Sequence, residues 1–410
     1  MRIGRTLPPA AAPLRCRDLC HGVLGMLTPD ESIRALEDSV REYFKTRHVF
    51  LVSSGKAALT MTLMGLKAAS SRNEVVIPAY TCFSMPAAVI SAGLRPILCD
   101  INPTTFDFDH DQLAATLNDN TLCVVAHHLF GIPSDIERVR TLCQSRGIVV
   151  IEDAAQAMGV ESGGRKLGTL GDVGVFSLGR GKNITCGSGG IVITQSDAIA
   201  ASLRAQWPGL ESPLPAESLK DFAKLAFMAI FIRPRLYWIP NAMPFLKLGQ
   251  TIFPKSVAVK RLSGMQAGLL HDWQHQLSES NRRRSKTSAS VSRQMSLSLP
   301  QGPSHPYLRL PILAATPQGR ARIHSFAERR GLGVSLAYPT PINEIPEISY
   351  LFDGKRFPSA RRVSEHILTI PTHQWISEKD TRALVECVEP SAAVVPPVPS
   401  IAARRVTSLQ

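Results

Sequence analysis

The chain has 410 residues, 44% of them hydrophobic and 19% charged. That size and mix suit a large folded domain with a smaller companion and exclude both a peptide-sized module and a wholly disordered polymer. Lys and Arg outnumber Asp and Glu by 46 to 33, a formal charge of +13, which favours anionic partners without choosing among phosphate, nucleic acid and a membrane face.

Taken in chain order, the Pro- and Ala-rich stretch 1–40 predicts an N-terminal arm, followed by an amphipathic helix over 31–47. The arginines of MRIGRTLPPAAAPLRC surround no apolar segment, so no secretion signal is expected. From about 50 to 196, short β-branched runs alternate with helical patterns, predicting a mostly parallel sheet with helices on both faces. Strands are expected at 73–80, 95–101, 121–129, 147–154, 173–178 and 190–195, with HVFLV entering the sheet before them. Residues 135–147 show apolar positions at helical spacing and close on Gly147.

Residues 222–248 stand apart. The apolar run Leu225 to Ile232 is too short to span a bilayer, and Pro234, Pro240 and Pro244 break any long helix. From Phe222 to His271 there is no Asp or Glu, against Lys224, Arg233, Arg235, Lys247, Lys255, Lys260 and Arg261. Two readings stay open: an interfacial segment lying on an anionic membrane, and a helical hairpin buried against the other domain or a dimer partner.

Past residue 300 the elements shorten to YLRLPIL, a helix around GRARIHSFAERRG, then VSLAYPTPI and VSEHILTIP, which predicts a smaller α+β domain. The expected organisation is an arm at 1–40, a large α/β domain at 41–260 carrying the 222–248 insertion, a small domain at 261–390, and a structureless tail at 391–410. Eight scattered cysteines predict reduced, buried thiols in a cytoplasmic protein. Cys16 and Cys20 lack a second ligand pair, so no metal site is expected.

Four pieces fall near strand ends, where open α/β sheets place their ligands. SSGKAAL (53–59) offers backbone N–H groups at a helix start, an anion site. VVIEDAAQAMG sets Glu152 and Asp153 at the end of an apolar strand, where a carboxylate needs a cation to be tolerated. VFSLGRGKNITCGSGG places Ser177 and Lys182 in a glycine-rich turn, which suits an amine that forms a Schiff base. PAYTCF offers Tyr80 or Phe83 as a surface for a planar ring. Each piece alone also has an ordinary structural reading, as a turn, a helix cap, a surface lysine or a core aromatic.

Together they match pyridoxal 5′-phosphate, and the sequence resembles the DegT/DnrJ/StrS sugar aminotransferases of the aspartate-aminotransferase-like fold. The matching stretches are SGKAAL, NEVVIPAYTCFSMPAAVISAGLRPILCDI, IEDAAQAMG, GRKLGTLGDVGVFSLGRGKNITCGSGG, RLSGMQAGL and FPSARRVSEHILTIPTH. They lie in family order over roughly 30–390.

The resemblance implies that Lys182 binds the cofactor aldehyde and that Asp153 keeps the pyridine nitrogen protonated. It implies that Gln156 bonds the phenolic oxygen, and that Ser177 with the backbone of Gly55 and Lys56 holds the phosphate. The ring-stacking position aligns with Cys82, leaving Phe83 or Tyr80 as substitutes. Val259 stands where many relatives send an asparagine across the dimer, with Arg261 as the nearest replacement.

The implied activity is amino transfer, usually from glutamate, to a nucleotide- or lipid-linked keto-sugar in polysaccharide or related sugar biosynthesis, by a homodimer. The alternatives are a pyridoxal-phosphate-dependent dehydratase or isomerase, which in this family carries His in place of the lysine, and a non-catalytic regulatory protein with a vestigial pocket. Dispersed positive charge without a recognition motif argues against nucleic acid.

Overall fold

Strand direction, more than strand order, decides where this chain's polar residues meet. A computed structural model describes residues 3–388 other than positions 13, 247, 250, 255, 296 and 298; the tail expected at 391–410 lies outside the described residues. The strands are β1 (His48–Val52), β2 (Glu74–Pro78), β3 (Arg95–Cys99), β4 (Thr121–His127), β5 (Val149–Asp153), the two-residue pair β6 (Glu161–Ser162) and β7 (Arg165–Lys166), β8 (Val173–Ser177) and β9 (Gly190–Thr194). Seven of them form one sheet in the order β1-β9-β8-β5-β4-β2-β3. From β3 across to β8 the strands are parallel, whereas β9 runs antiparallel to both β8 and β1. The sheet is therefore mixed and mostly parallel, within an α/β fold.

Successive side chains point to opposite faces, as strand geometry requires. Phe50, Ile77, Val125, Ile151 and Val192 share an apolar cluster with the helices Gly55–Ala68 and Asp197–Gln206. Leu51, Val124, Val150 and Ile193 face the other way, towards Pro29–Phe44, Ile136–Gln144 and Gly264–Leu269. β2, β4 and β9 are buried at every position, which explains their unalternating apolar runs.

The helix expected at 31–47 starts at Pro29 and ends at Phe44, where Lys45 turns left-handed at φ 51°. The helix expected over 135–147 is Ile136–Gln144, capped by the Asp135 side chain; Gly147, past its end, has φ +61°. A second, two-stranded sheet pairs β10 (Arg309–Leu313) antiparallel with β11 (Ile367–Pro371). VSLAYPTPI forms no strand and touches this sheet through a single bridge, Ser335 to Thr369.

The arm is part of the fold. Leu7 N–H donates to the Gly331 carbonyl at 2.8 Å and Thr6 N–H to the Pro234 carbonyl at 2.9 Å. Cys99, Cys123, Cys143, Cys186 and Cys387 are buried as expected, while Cys16 and Cys20 are exposed on the helix Cys16–Leu27. Between β9 and the helix Gly264–Leu269 the apolar, basic segment folds as the end of a helix, Pro215–Phe231, and a short turn of helix, Trp238–Asn241.

Candidate active site

Because β1, β5 and β8 run the same way and β9 runs against them, the ends of three strands and the start of the fourth share one edge. Val52 and Ser177 both lie opposite Gly190. The turn after β1, the last residue of β5 and the β8–β9 loop therefore meet there, bringing Gly55, Asp153, Ser177 and Lys182 together from positions as much as 127 residues apart in number.

The β1 turn is an anion cradle by construction. Ser54 caps the helix Gly55–Ala68, its Oγ accepting from Ala57 N–H at 3.0 Å. The N–H groups of Gly55 and Lys56 are left without a partner among the described residues, as the first turn of a helix leaves them. Gly55 presses on Ser177: a Cβ there would fall 2.7 Å from Ser177 Cβ. Only a bare backbone fits, and it keeps two N–H donors beside a hydroxyl. Lys56 lines an adjoining cleft of about 510 Å³ with Ser53, Ser54, Ser188 and Lys260. Arg261 turns elsewhere, donating to the Trp207 carbonyl at 2.8 Å and lying over that indole, and Val259 is partly buried.

The two carboxylates at the end of β5 separate by strand alternation. Glu152 is wholly buried, accepting from His128 Nε2–H at 3.0 Å and from the N–H groups of Gly168, Leu170 and Gly171. His128 Nδ1 accepts from Ser134 N–H at 3.1 Å, which puts the ring proton on Nε2. Burial works against the ionised Glu152, yet those donors hold its carboxyl below the usual range. Glu152 is thus a satisfied structural group. Asp153 faces the other way, half-buried, with one internal donor, Ala155 N–H at 3.1 Å. Burial pushes its carboxyl up, against the opposing pull of the Lys182 ammonium.

Gln156 is held at both ends. Its Oε1 accepts from Phe130 N–H at 3.1 Å and its Nε2 donates to the Tyr338 hydroxyl at 3.0 Å. Both anchors rest on unusual backbone: Phe130 has φ +58° and Ala337, next to Tyr338, has φ +55°. Non-glycine residues in this region cost about 1–3 kcal/mol and concentrate at functional sites.

In the PAYTCF turn, Tyr80 is wholly buried, its hydroxyl donating to the Tyr338 carbonyl at 3.2 Å, and Phe83 lies in the apolar core. Of the three residues considered for the ring face, the structure leaves Cys82 alone half-buried, its thiol beside Ser84 at 3.4 Å. Thr81 Oγ1 meets His127 Nδ1 at 2.9 Å, tying this turn to the end of β4.

Three residues were not read from the sequence. Tyr338 joins the site from between the strands of the second sheet. Arg284 is wholly buried on the helix Trp273–Gln294 and donates to the Lys182 carbonyl at 3.3 Å. Arg309, at the start of β10, has Nε and Nη2 buried with no hydrogen-bond partner among the described residues, within electrostatic reach of Tyr338, Tyr237 and Tyr80. Burial pushes its guanidinium down to about 10. A guanidinium with uncommitted N–H donors can donate to a carboxylate.

Residues 23–219 and 248–389 match the DegT/DnrJ/EryC1/StrS aminotransferase family. GDP-perosamine synthase of Vibrio cholerae is 33% identical over 167 residues, 41% of this chain and 45% of that protein, so the similar stretch spans under half of that relative. A pleiotropic regulatory protein of Geobacillus stearothermophilus is 24% identical over 365 residues, 86% of this chain and 87% of its own.

PseC of Helicobacter pylori, an aminotransferase involved in the biosynthesis of pseudoaminic acid, shares the fold with a TM-score of 0.73 at 16% identity, covering 93% of this chain and 98% of that one. NtdA of Bacillus subtilis, solved with bound cofactor PMP, has a TM-score of 0.71 at 19% identity over 91% of this chain and 82% of its own. With the β1 turn, Asp153, Lys182 and Tyr338 all inside the matched ranges, the chain belongs to the DegT/DnrJ/EryC1/StrS aminotransferase family.

Proposed function

We propose that the protein is a pyridoxal-phosphate-dependent aminotransferase that moves an amino group from an amino acid, glutamate in the first instance, to a keto-sugar carried on a nucleotide or a lipid. The observation that carries the reading is the convergence of Lys182 and Asp153 on one sheet edge, with the Asp153 carboxyl perturbed by burial and by the Lys182 charge. When bound, the cofactor supplies an electron sink for the pair of electrons released as the donor's α-proton leaves.

The chain's residues divide the remaining work. The free N–H groups of Gly55 and Lys56, with the Ser177 hydroxyl, bind the phosphate at a helix N-terminus. Asp153 holds a proton on the pyridine nitrogen. Gln156, fixed by Phe130 and Tyr338, would orient the cofactor through its phenolic oxygen, and Cys82 would be the residue to hold its ring. Lys182 Nζ would hold the cofactor through its aldehyde and would serve as the base that takes the proton from the donor's Cα. Arg309 suits a donor that brings a carboxylate, which supports glutamate. The protein acts as a homodimer in the cytoplasm, in the assembly of surface polysaccharide or a related amino sugar.

The relative called a pleiotropic regulatory protein keeps a non-catalytic reading in play. One experiment separates the two. Purified protein incubated with pyridoxal phosphate should acquire the visible absorbance of a lysine adduct, lose it on addition of glutamate, and regain it with a nucleotide-linked keto-sugar. Lys182→Ala should show none of these changes. A wild-type protein that binds the cofactor and never bleaches with any amino acid would support the regulatory reading and end this one.

A further inference from the structure

The family match stops at residue 219 and resumes at 248, so 220–247 lies outside it. It includes the second half of the helix Pro215–Phe231, where apolar residues from Phe222 on lie on both sides, interrupted by Lys224. Inwards, Leu225 is 4% exposed and packs against Gly187, with Phe222 beside it in the same cluster. Outwards, Leu219, Phe227 and Ile230 are 61%, 50% and 52% exposed at helical spacing, and Phe227 stacks on Phe231 at 4.1 Å. The apolar surface continues past the helix through Phe245, 75% exposed, and Ile252, 54% exposed. Exposed large apolar side chains grouped in this way mark a contact surface, and here no described part of this chain covers them.

Charge indicates what covers it. No Asp or Glu occurs from Phe222 to His271. Arg233 and Arg235 are exposed, and no described carboxylate lies within ion-pair distance of either. Lys224 pairs with Asp221 one turn back, and Lys260 with Glu211 and Glu217. Glu217 and Asp221, the nearby carboxylates on this helix, are paired with Lys260 and Lys224, so a two-fold axis through the patch would set unpaired arginines near their own copies. Anionic lipid headgroups supply that neutralisation, and the exposed Phe and Ile side chains supply insertion. No helix among the described residues is long and apolar enough to cross a membrane, so contact of this kind lies in the plane of the surface.

We propose that residues 219–252 dock the protein on an anionic lipid surface, with Phe227, Ile230 and Phe245 inserted and Arg233 and Arg235 at the headgroups. The inference is independent of the reaction assigned above, and its readout is binding.

The test is co-sedimentation of the full chain, loaded with pyridoxal phosphate, with vesicles of phosphatidylcholine alone or mixed with phosphatidylglycerol, alongside the solution mass by light scattering. The expected result is binding to the mixed vesicles at least tenfold tighter than to the neutral ones and weakened by salt. Phe227→Glu with Ile230→Glu should lose at least tenfold in binding with unchanged mass and unchanged cofactor absorbance, and Arg233→Glu with Arg235→Glu should do the same. Three results would overturn the proposal: no binding by the wild type, equal binding to both vesicle types, or a drop in solution mass in the Phe227→Glu, Ile230→Glu variant, which would make the patch an interface between copies.

Discussion

Nη2 of Arg284 donates to the carbonyl oxygen of Lys182 at 3.3 Å, so the loop that carries the candidate nucleophile is braced by a fully buried guanidinium. The same side chain holds the carbonyls of Ala11 at 3.0 Å and Leu308 at 2.7 Å and the Thr372 hydroxyl at 3.0 Å. Burial pushes it down to about 10, which leaves it charged at neutral pH. Arg284→Met would fill much of the space and strand several buried acceptors, at about 1–3 kcal/mol each. The expected outcome is a clear fall in Tm, with slower capture of pyridoxal phosphate by Lys182 in stopped-flow absorbance. Unchanged Tm and unchanged capture would show that the brace is dispensable.

Asp153 carries an opposite lesson about stability. Its carboxyl is raised in the folded state, first by burial, so the folded chain holds that proton more tightly than the unfolded one. The favourable contribution is complete below the ordinary aspartate range and disappears as pH climbs through the raised value, leaving the ionised group a burden at neutral pH. Asp153→Asn keeps an acceptor for Ala155 N–H and removes the charge. The cofactor-free variant should melt higher than the wild type at pH 7, while amino transfer falls roughly a hundredfold or more. Calorimetry of the two apo proteins and a glutamate half-reaction measure both parts.

Three buried histidines set the acid limit. Burial, first among the causes, pulls His127, His305 and His373 from 6.5 down to about 4. Each stays neutral when folded and takes a proton when unfolded, so its contribution is intact above 6.5 and is lost as pH falls to about 4. Denaturation between those limits should show uptake of up to three protons on unfolding from this source, read from the slope of stability against pH. His373→Gln should flatten that slope by about one proton.

Arg309→Met removes a buried cation that has no partner, a change that often stabilises a protein. The same change should raise the KM for glutamate at least tenfold, leaving the KM for the keto-sugar within about twofold. Equal effects on both substrates would place Arg309 outside the donor site.

The strands of the large sheet were legible because their apolar runs are continuous, and Asp153, Ser177 and Lys182 were legible because each closes such a run or follows it in a glycine-rich turn. Arg284 was not. It sits in ESNRRRSK, where Arg282 and Arg283 pair with Glu279 on the surface and only the register of a 22-residue helix turns the third arginine inwards. Glu152 and Asp153 read as equivalents until strand alternation sent one to His128 and the other to the cleft. Tyr338 and Arg309 belong to a part of the chain with short, weakly patterned elements, and the place of Tyr338 beside Gln156 depends on a contact 182 residues away in number. Phe83 reads as a ring surface in a strand-end turn, yet the turn rolls it into the core and leaves a thiol at the opening.

The arm has a consequence for the order of assembly. Residues 6–11 leave the ribosome long before Arg284 and Gly331, the groups that hold them. Leu7 and Ala11 have no native partner until Gly331 and Arg284 have been made, so seating the arm is a late event during synthesis and closes the structure over the Lys182 loop. A tag fused ahead of the arm would have to thread past that closing step, whereas one attached after residue 388 would not.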